Sequence, residues 1–141
     1  MIRKHQESDL EEILAIWYQA STLAHPFLED AFVEKVKKDM REIYIPGSET
    51  WVYEEKGKVI GFIGMQGNEI GGLFVLPDHH SKGVGTQLTN FISEYHEELE
   101  VEVFTRNKIG RAFYDKYGFI KIKEFLHEES KLEVLRMKFT V

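Results

Sequence analysis

The chain has 141 residues, contains no cysteine and carries a formal net charge of −6. Its length is close to the commonest domain size, so residues 1–141 are expected to form a single domain around one core. The absence of cysteine excludes disulfides, thiolate metal sites and a cysteine nucleophile, and the acidic balance argues against a nucleic-acid partner.

The composition is that of a packed globular protein, with 43% hydrophobic and 13% aromatic residues. No stretch approaches the roughly 18 uninterrupted apolar residues of a membrane span. The first residues also lack the apolar segment of a secretory signal. We therefore expect a cytoplasmic location and no membrane association.

The first half of the chain predicts a short strand, two helices and three further strands. Ser8 and Glu11 stand three residues apart, as in a capping box, and the apolar stripe that follows predicts the first helix. A second helix is predicted over residues 29–43. The three strands are predicted at residues 51–53, 59–65 and 70–75, with turns at Lys56-Gly57 and Gly67-Asn68 between them.

A glycine pair, Gly71-Gly72, lies inside the third of these strands. Glycine weakens a strand and commonly marks a bulge or a close approach of another backbone. We therefore expect the strand to be irregular at this point.

The next segment runs from that strand into a glycine-spaced turn and then into a helix. One apolar stripe at helical spacing predicts this helix independently of the turn: Leu88, Phe91, Ile92 and Tyr95. The first N–H groups of a helix lack internal partners and carry the positive end of its dipole, so they can hold an anion. Gly83 and Gly85 remove the two nearest Cβ atoms. The pattern indicates a phosphate cradle.

Two common phosphate motifs do not fit this turn. A Walker-type loop ends in Gly-Lys followed by Ser or Thr, whereas here Lys82 precedes Gly83. A dinucleotide fingerprint needs a third glycine where Leu88 stands. From the residues alone, two interpretations remain: a phosphate cradle of another type, or a turn that reverses the chain without binding a ligand.

The last part of the chain predicts a strand, a helix and two closing strands. The three strands are predicted at residues 99–104, 119–126 and 132–141. Alternation in the first of them predicts that Val101 and Val103 face inward and that Glu100 and Glu102 face outward. The helix carries one apolar stripe and ends at Gly118, and the stripe consists of Ile109, Ala112, Phe113 and Tyr117. Tyr114 lies beside this stripe, where a phenol can pack its ring and still present its hydroxyl to a cleft.

Two motifs resemble those of the GNAT superfamily of N-acyltransferases. Residues 75–85 resemble its acyl-coenzyme A motif, Val-x-Pro followed by Arg or Gln and then x-x-Gly-x-Gly/Ala, with His80 in the Arg/Gln place and Ser81 where Gly is common. Residues 107–119 resemble its downstream motif of Asn, Ala-x-x-Phe-Tyr and Gly-Phe. The resemblance implies an α/β GNAT fold: a mixed, mostly antiparallel twisted sheet of about seven strands, four flanking helices and splayed central strands.

The resemblance also implies a function. A GNAT enzyme transfers an acetyl group from acetyl-CoA to a primary amine by direct attack in a ternary complex. The acceptor is a small molecule, a peptide N-terminus or a lysine side chain. By this resemblance Tyr114 is the general acid for the coenzyme A thiolate, and coenzyme contacts are expected at Phe74, Val75, His80, Ser81, Lys82, Gly83, Val84, Gly85, Thr86, Asn107 and Tyr114. Adjacent His79 and His80 point apart, so we expect no metal.

The base and the acceptor contacts are less constrained. An amine with a pKa of about 10.4 must lose a proton before it attacks. Glu69, at the start of the central strand, and His25, between the first two helices, are the candidate bases, and ordered water is an alternative to both. The acceptor is expected to contact His25, Phe27, Leu28, Trp51 and Tyr53.

Two alternatives of other classes stay open. One is a non-catalytic acyl-coenzyme A-binding regulatory module with the same fold, which the unusual His80 favours and Tyr114 disfavours. The other is an edge strand at the C-terminus that forms a homodimer, which is compatible with either function.

Overall fold

The computed structural model describes residues 1–141. The strands are β1 Ile2–Lys4, β2 Glu49–Glu55, β3 Lys58–Gln66, β4 Glu69–Val75, β5 Glu98–Phe104, β6 Ile120–His127 and β7 Leu132–Thr140. The main helices are α1 Leu10–Ala24, α2 Asp30–Asp39, α3 Val84–Ser93 and α4 Lys108–Tyr117. None of the helices combines the length and the apolar character that crossing a bilayer requires.

The strands form a single sheet in the order β1-β2-β3-β4-β5-β7-β6. All neighbouring pairs are antiparallel except β4 and β5, which are parallel. The β4–β5 ladder contains only the pairs Glu69 with Glu100 and Ile70 with Val101, and the two strands separate beyond them. The predicted mixed sheet with four helices and splayed central strands is confirmed.

A β-bulge lies where the splay begins. Gly64 pairs with Gly72 and Met65 pairs with Ile70, so Gly71 has no partner on β3. A bulge bends its strand and increases the local twist. The irregularity expected at the glycine pair is therefore present, and it directs the rest of β4 away from β5.

Apolar cores cover the two faces of the sheet. Helices α3 and α4 pack on one face, where Leu88 and Leu99 are fully buried. Helix α1 packs on the other face, where Ile13 and Val52 are fully buried. Val101 and Val103 both point into the first core, as predicted.

The first two helices differ from the prediction at their ends. The N–H of Gln6 donates to the Asp9 carboxylate at 2.7 Å, so the residue pair at this helix start is Gln6 and Asp9, not Ser8 and Glu11. The Asp9 carboxylate also binds Arg3 at 2.8 Å, which ties α1 to β1. The second helix stops at Asp39 and continues as a wider π-helical turn over Met40–Tyr44.

The apolar stripe of α3 is shorter than predicted. Ile92 is 2% exposed, whereas Tyr95 lies beyond the end of the helix at Ser93 and is 64% exposed. The tyrosine contacts the Phe91 ring at a centroid distance of 5.6 Å and otherwise faces solvent.

Candidate active site

Two cavities lie beside the gap between β4 and β5. The α3-side cleft, between the N-terminus of α3 and helix α4, has a volume of about 990 Å³. The α1-side cavity, bounded by α1, α2 and the diverging strands, has a volume of about 440 Å³. Leu73, Gly110 and Tyr114 line both cavities, so the two spaces meet at these residues.

The turn before α3 presents backbone N–H groups to the α3-side cleft. Gly83 is the residue before the helix and has a φ of +82°, which favours glycine. The first three residues of α3, Val84, Gly85 and Thr86, line the cleft together with Gly83. Their N–H groups have no partner inside the helix and lie at the positive end of its dipole, so this end of the cleft suits a phosphate group.

Gly85 has a structural role in addition to the one expected. A Cβ atom at position 85 would lie 3.2 Å from the Phe113 ring of α4. The missing side chain therefore lets α3 and α4 approach each other closely. The sequence could not reveal this contact because Phe113 belongs to the other helix.

His80 binds the protein's own backbone. Its Nε2 lies 2.8 Å from the carbonyl oxygen of Val75. Because a carbonyl can only accept, the ring donates its Nε2–H to Val75. His80 lines the cleft, but the donor that we expected to serve the coenzyme ties the turn to the end of β4 instead.

The predicted coenzyme residues divide between the two cavities. Phe74 and Asn107 line the α1-side cavity, and the exposed Lys82 lines neither. Successive strand residues face opposite sides, and Phe74 accordingly packs on Phe62 at a ring distance of 5.7 Å. The predicted residues that line the α3-side cleft are Val75, His80, Ser81, Gly83, Val84, Gly85, Thr86 and Tyr114.

Several residues that were not predicted as site residues line the same cleft. Tyr117 donates its hydroxyl to Asn90 at 2.6 Å, which links α4 to α3 across the cleft. Lys116 and Phe139 also line it. No motif marked these residues, because α3, α4 and β7 come together only in the folded sheet.

Tyr114 combines burial with access to both cavities. The residue is 6% exposed, and its ring contacts Phe113 and Phe119 at centroid distances of 5.2 and 5.1 Å. Burial raises the pKa of its hydroxyl above the ordinary value for tyrosine. The group therefore stays protonated at neutral pH and can donate a proton where the cavities meet.

His25 and Asn107 form a hydrogen-bonded pair at the side of the α1-side cavity. Asn107 Nδ2 lies 3.0 Å from His25 Nε2, and Ser21 Oγ lies 3.0 Å from His25 Nδ1. An amide NH₂ can only donate, so the imidazole accepts at Nε2 and carries its proton on Nδ1. Burial lowers the pKa of His25 to about 4. Because both ring nitrogens are occupied and the pKa is low, this geometry gives no support to His25 as a base.

Glu69 lines the α1-side cavity and belongs to a charged cluster. Arg136 contacts Glu69 at 3.2 Å, Glu100 at 2.7 Å and Glu102 at 2.6 Å. The carboxylates that line the cavity are Asp39, Glu69, Glu102 and Glu129, and its lining contains no lysine or arginine. Two cations neutralise part of this charge, because Lys35 binds Asp39 at 3.0 Å and Glu129 at 2.6 Å while Arg136 binds the other two carboxylates. Four carboxylates against two cations leave a net negative charge, which favours a cationic ligand.

The five predicted acceptor residues do not lie together. His25 and Leu28 line the α1-side cavity, and Phe27 packs against His25 at a ring distance of 5.7 Å. Trp51 and Tyr53 lie on the opposite face of the sheet, where Trp51 packs on Phe91 of α3. Strand alternation explains this correction, because it directs Val52 to α1 and its two neighbours away from α1.

Comparison with known proteins agrees with this geometry. Residues 46–121, slightly more than half of the chain, match the family model described as the acetyltransferase (GNAT) domain. The peptidyl-lysine N-acetyltransferase YiaC of Escherichia coli is 31% identical over 142 residues, which cover 100% of this chain and 97% of that protein. The peptidyl-lysine N-acetyltransferase YjaB of the same organism is 29% identical over 119 residues, covering 84% of this chain and 80% of YjaB.

Solved structures show the same architecture. The solution structure of apo-form YjaB from Escherichia coli superposes with a TM-score of 0.89 at 25% identity, covering 99% of this chain and 96% of that one. The PaiA N-acetyltransferase of Thermoplasma acidophilum, solved in complex with coenzyme A, has the same fold, with a TM-score of 0.78 at 18% identity over 100% of this chain and 98% of that one. From its family match, its relatives and its fold, the chain belongs to the GNAT acetyltransferase family and is an acetyl-CoA-dependent N-acetyltransferase.

Proposed function

We propose that this enzyme transfers the acetyl group of acetyl-CoA to a lysine side chain of a peptide or protein. The observation that carries the proposal is the meeting of the two cavities at Tyr114. The coenzyme lies in the α3-side cleft, with its phosphates at the N-terminus of α3. The lysine enters from the α1-side cavity. The relatives YiaC and YjaB, both named peptidyl-lysine N-acetyltransferases, support this acceptor.

The chemistry of the α1-side cavity supports a lysine acceptor. Its four carboxylates outnumber the two cations that bind them, Lys35 and Arg136, so the cavity carries a net negative charge that attracts an ammonium group. Phe32, Val33 and Val36 of α2 add apolar lining, against which the methylene groups of a lysine can pack. A long side chain with a charged end suits this combination.

The acceptor amine must be neutral when it attacks. Glu69 is the better placed of the two candidate bases, because its carboxylate lines the cavity and His25 has no free ring nitrogen. We propose that Glu69 takes the proton directly or through a water molecule. The neutral nitrogen then attacks the thioester carbonyl carbon, and backbone N–H groups of β4 beyond the bulge stabilise the oxygen that gains charge.

The transfer ends when the carbon–sulfur bond breaks. Tyr114 donates its phenolic proton to the departing thiolate, and the extra proton on the attacking nitrogen passes to the tyrosine oxygen. The products are coenzyme A and the acetylated amine, and Tyr114 is again neutral. The burial that keeps Tyr114 protonated suits this role. Both the buried Tyr114 and the family match favour an enzyme over a regulatory module. The cytoplasmic location and the edge-strand homodimer stay predictions.

Peptide acetylation tests the proposal. The enzyme is incubated with acetyl-CoA and a peptide that has a blocked N-terminus and one lysine. Release of free thiol and an acetyl group on that lysine by mass spectrometry are expected. The matched control replaces the lysine with arginine, and further arms offer a lysine-free peptide with a free N-terminus and a small polyamine. Turnover confined to either of these arms would overturn the lysine acceptor.

A further inference from the structure

The chain segment after α1 is joined to the start of α4 by three side chains, Ser21, His25 and Asn107. We infer that His25 is a positioning residue: its neutral imidazole fixes the Asn107 amide at the first turn of α4 and thereby sets where Tyr114 presents its hydroxyl. The inference rests on the proposed function, because it concerns the placement of the same Tyr114.

Asn107 depends on His25 for one of its hydrogen bonds. Its Oδ1 accepts from the N–H of Gly110 at 2.8 Å and caps α4, and its Nδ2 donates to His25 at 3.0 Å. Asn107 is 8% exposed. A buried donor without a partner is costly, so the imidazole acceptor holds the amide in its capping orientation.

The first turn of α4 is built around this amide. A Cβ atom at Gly110 would lie 2.6 Å from Asn107 Nδ2 and 3.0 Å from its Cγ. Only glycine leaves the space that the Asn107 side chain occupies. The Asn107 amide can therefore keep its observed orientation only because position 110 carries no side chain.

The imidazole is itself held on several sides. Ser21 Oγ lies 3.0 Å from Nδ1, and the rings of Phe27 and Phe104 pack edge-on at centroid distances of 5.7 and 5.2 Å. The Arg106 guanidinium lies 4.7 Å from the centre of the Phe27 ring. These contacts fix the ring plane and join the segment after α1 to the loop before α4.

Helix α4 connects the amide to Tyr114. The tyrosine follows Asn107 by seven residues, which is about two helical turns. Because a helix moves as a rigid rod over this length, a shift of its first turn displaces the Tyr114 hydroxyl. A displacement of about 1 Å at a reacting group can cost about a hundredfold in rate.

Paired substitutions at His25 test the positioning role. His25→Leu removes both ring hydrogen bonds, and kcat is expected to fall about 10- to 100-fold. The KM for acetyl-CoA is expected to change less than kcat, because the turn before α3 is untouched although α4 also lines the cleft. His25→Gln keeps an acceptor near Nε2 and is expected to restore most of kcat. His96→Gln, at a histidine outside both cavities, is the matched control and should leave kcat unchanged. Equal losses in the Leu and Gln variants would overturn the inference.

Ser21→Ala covers the case in which His25→Leu does not fold. This variant removes only the partner of Nδ1, so a smaller fall in kcat with an unchanged KM for acetyl-CoA is expected. A full pH–rate profile is recorded for each variant. A wild-type inflection near neutral pH that disappears in both His25 variants would identify His25 as a base and overturn the positioning role.

A measurement without turnover separates this inference from the proposed function. Nitrogen NMR of the wild-type ring is expected to show the tautomer protonated at Nδ1. In Asn107→Asp the carboxylate still accepts from Gly110 but requires a donor from the ring, so His25 is expected to be doubly protonated near neutral pH. An Nε2–H tautomer in the wild type, or an unchanged ring in Asn107→Asp, would overturn the inference even if lysine peptides are acetylated. The expected spectra would support the His25–Asn107 contact even if no lysine peptide is acetylated.

Discussion

Tyr114 is the residue at which the two cavities and the proposed proton transfer coincide. Its ring is buried between Phe113 and Phe119, and its hydroxyl has a raised pKa because of that burial. The side chain therefore serves packing through its ring and chemistry through its oxygen. Removing the oxygen alone separates the two contributions.

Tyr114→Phe is expected to lower kcat about a hundredfold or more, because a general acid contributes about 10²–10⁴ in rate. The affinity for acetyl-CoA, measured by calorimetric titration, should change little because the ring is kept. Tyr95→Phe is the matched control, since Tyr95 is 64% exposed and lines neither cavity. An unaltered kcat in Tyr114→Phe would show that Tyr114 serves packing only.

His25 makes stability depend on pH. Its pKa is about 4 in the folded protein, against an ordinary value of 6.5, because it is buried. Between these two pH values the unfolded chain binds a proton that the folded chain does not, so the free energy of unfolding decreases as the pH falls through this window. The expected decrease is up to about 3 kcal/mol.

Denaturant unfolding at pH 7 and pH 4.5 measures this dependence. His25→Gln cannot take up the proton, so its free energy of unfolding is expected to fall less than that of the wild type. The difference between the two proteins isolates His25 from the carboxylates that also titrate in acid. Equal decreases in both proteins would contradict the assignment.

His25 also shows what a sequence can reveal at this scale. Its position between the first two helices marked it as a candidate for the acceptor site, and it lines the α1-side cavity. Its hydrogen-bond partner Asn107 stands 82 positions away, so its occupied nitrogens and low pKa could not be predicted. The chemistry of a histidine is set by its neighbours in space.

The turn before α3 is the element on which we expect coenzyme binding to depend. It holds two residues in the left-handed region, Ser81 at a φ of +66° and Gly83 at +82°. These two φ values aim the first N–H groups of α3 at the cleft. An L side chain adopts this conformation only at a cost of roughly 1–2 kcal/mol.

Gly83→Ala is expected to lower the free energy of unfolding by about 1 kcal/mol and to weaken coenzyme A binding several-fold, because the turn relaxes and the N–H groups move. Thermal unfolding and calorimetric titration measure the two effects. Gly47→Ala is the matched control, since Gly47 has no positive φ and its Cβ would meet no atom within 4 Å. An unchanged affinity in Gly83→Ala would remove this turn from phosphate binding.

At the scale of elements, the type and order of the helices and strands were easier to predict than the contacts between them. The glycine pair marked the bulge in β4, and alternation along β5 placed Val101 and Val103 inward, because both patterns are local. The same alternation puts Trp51 and Tyr53 on the α3 face. Alternation separates the two faces of β2 but does not say which helix packs on which face, so their side of the sheet could not be predicted.

For the molecule as a whole, the separation of β4 from β5 produces the site. Two residue pairs join the strands at one end, and the bulge at Gly71 turns β4 outward beyond them. The opening has one cavity on each side and Tyr114 at their junction. The motifs predicted the turn and the helix that line the α3-side cleft. Of the four carboxylates that line the α1-side cavity, only Glu69 was predicted near the site, because the four come from separate segments of the chain.

This arrangement allows both substrates to be bound at once. The α3-side cleft and the α1-side cavity are separate spaces that share Leu73, Gly110 and Tyr114, so the amine can reach the thioester only while the coenzyme is in place. The chain contains no cysteine to carry the acetyl group between two half-reactions. We therefore propose that transfer proceeds by direct attack in a ternary complex.

Initial rates measured over a grid of acetyl-CoA and lysine-peptide concentrations test this claim most directly. Direct attack predicts double-reciprocal lines that intersect, because both substrates must bind before any product is released. Parallel lines, the pattern of a covalent acetyl-enzyme, would contradict the account and show that the two cavities are used in turn.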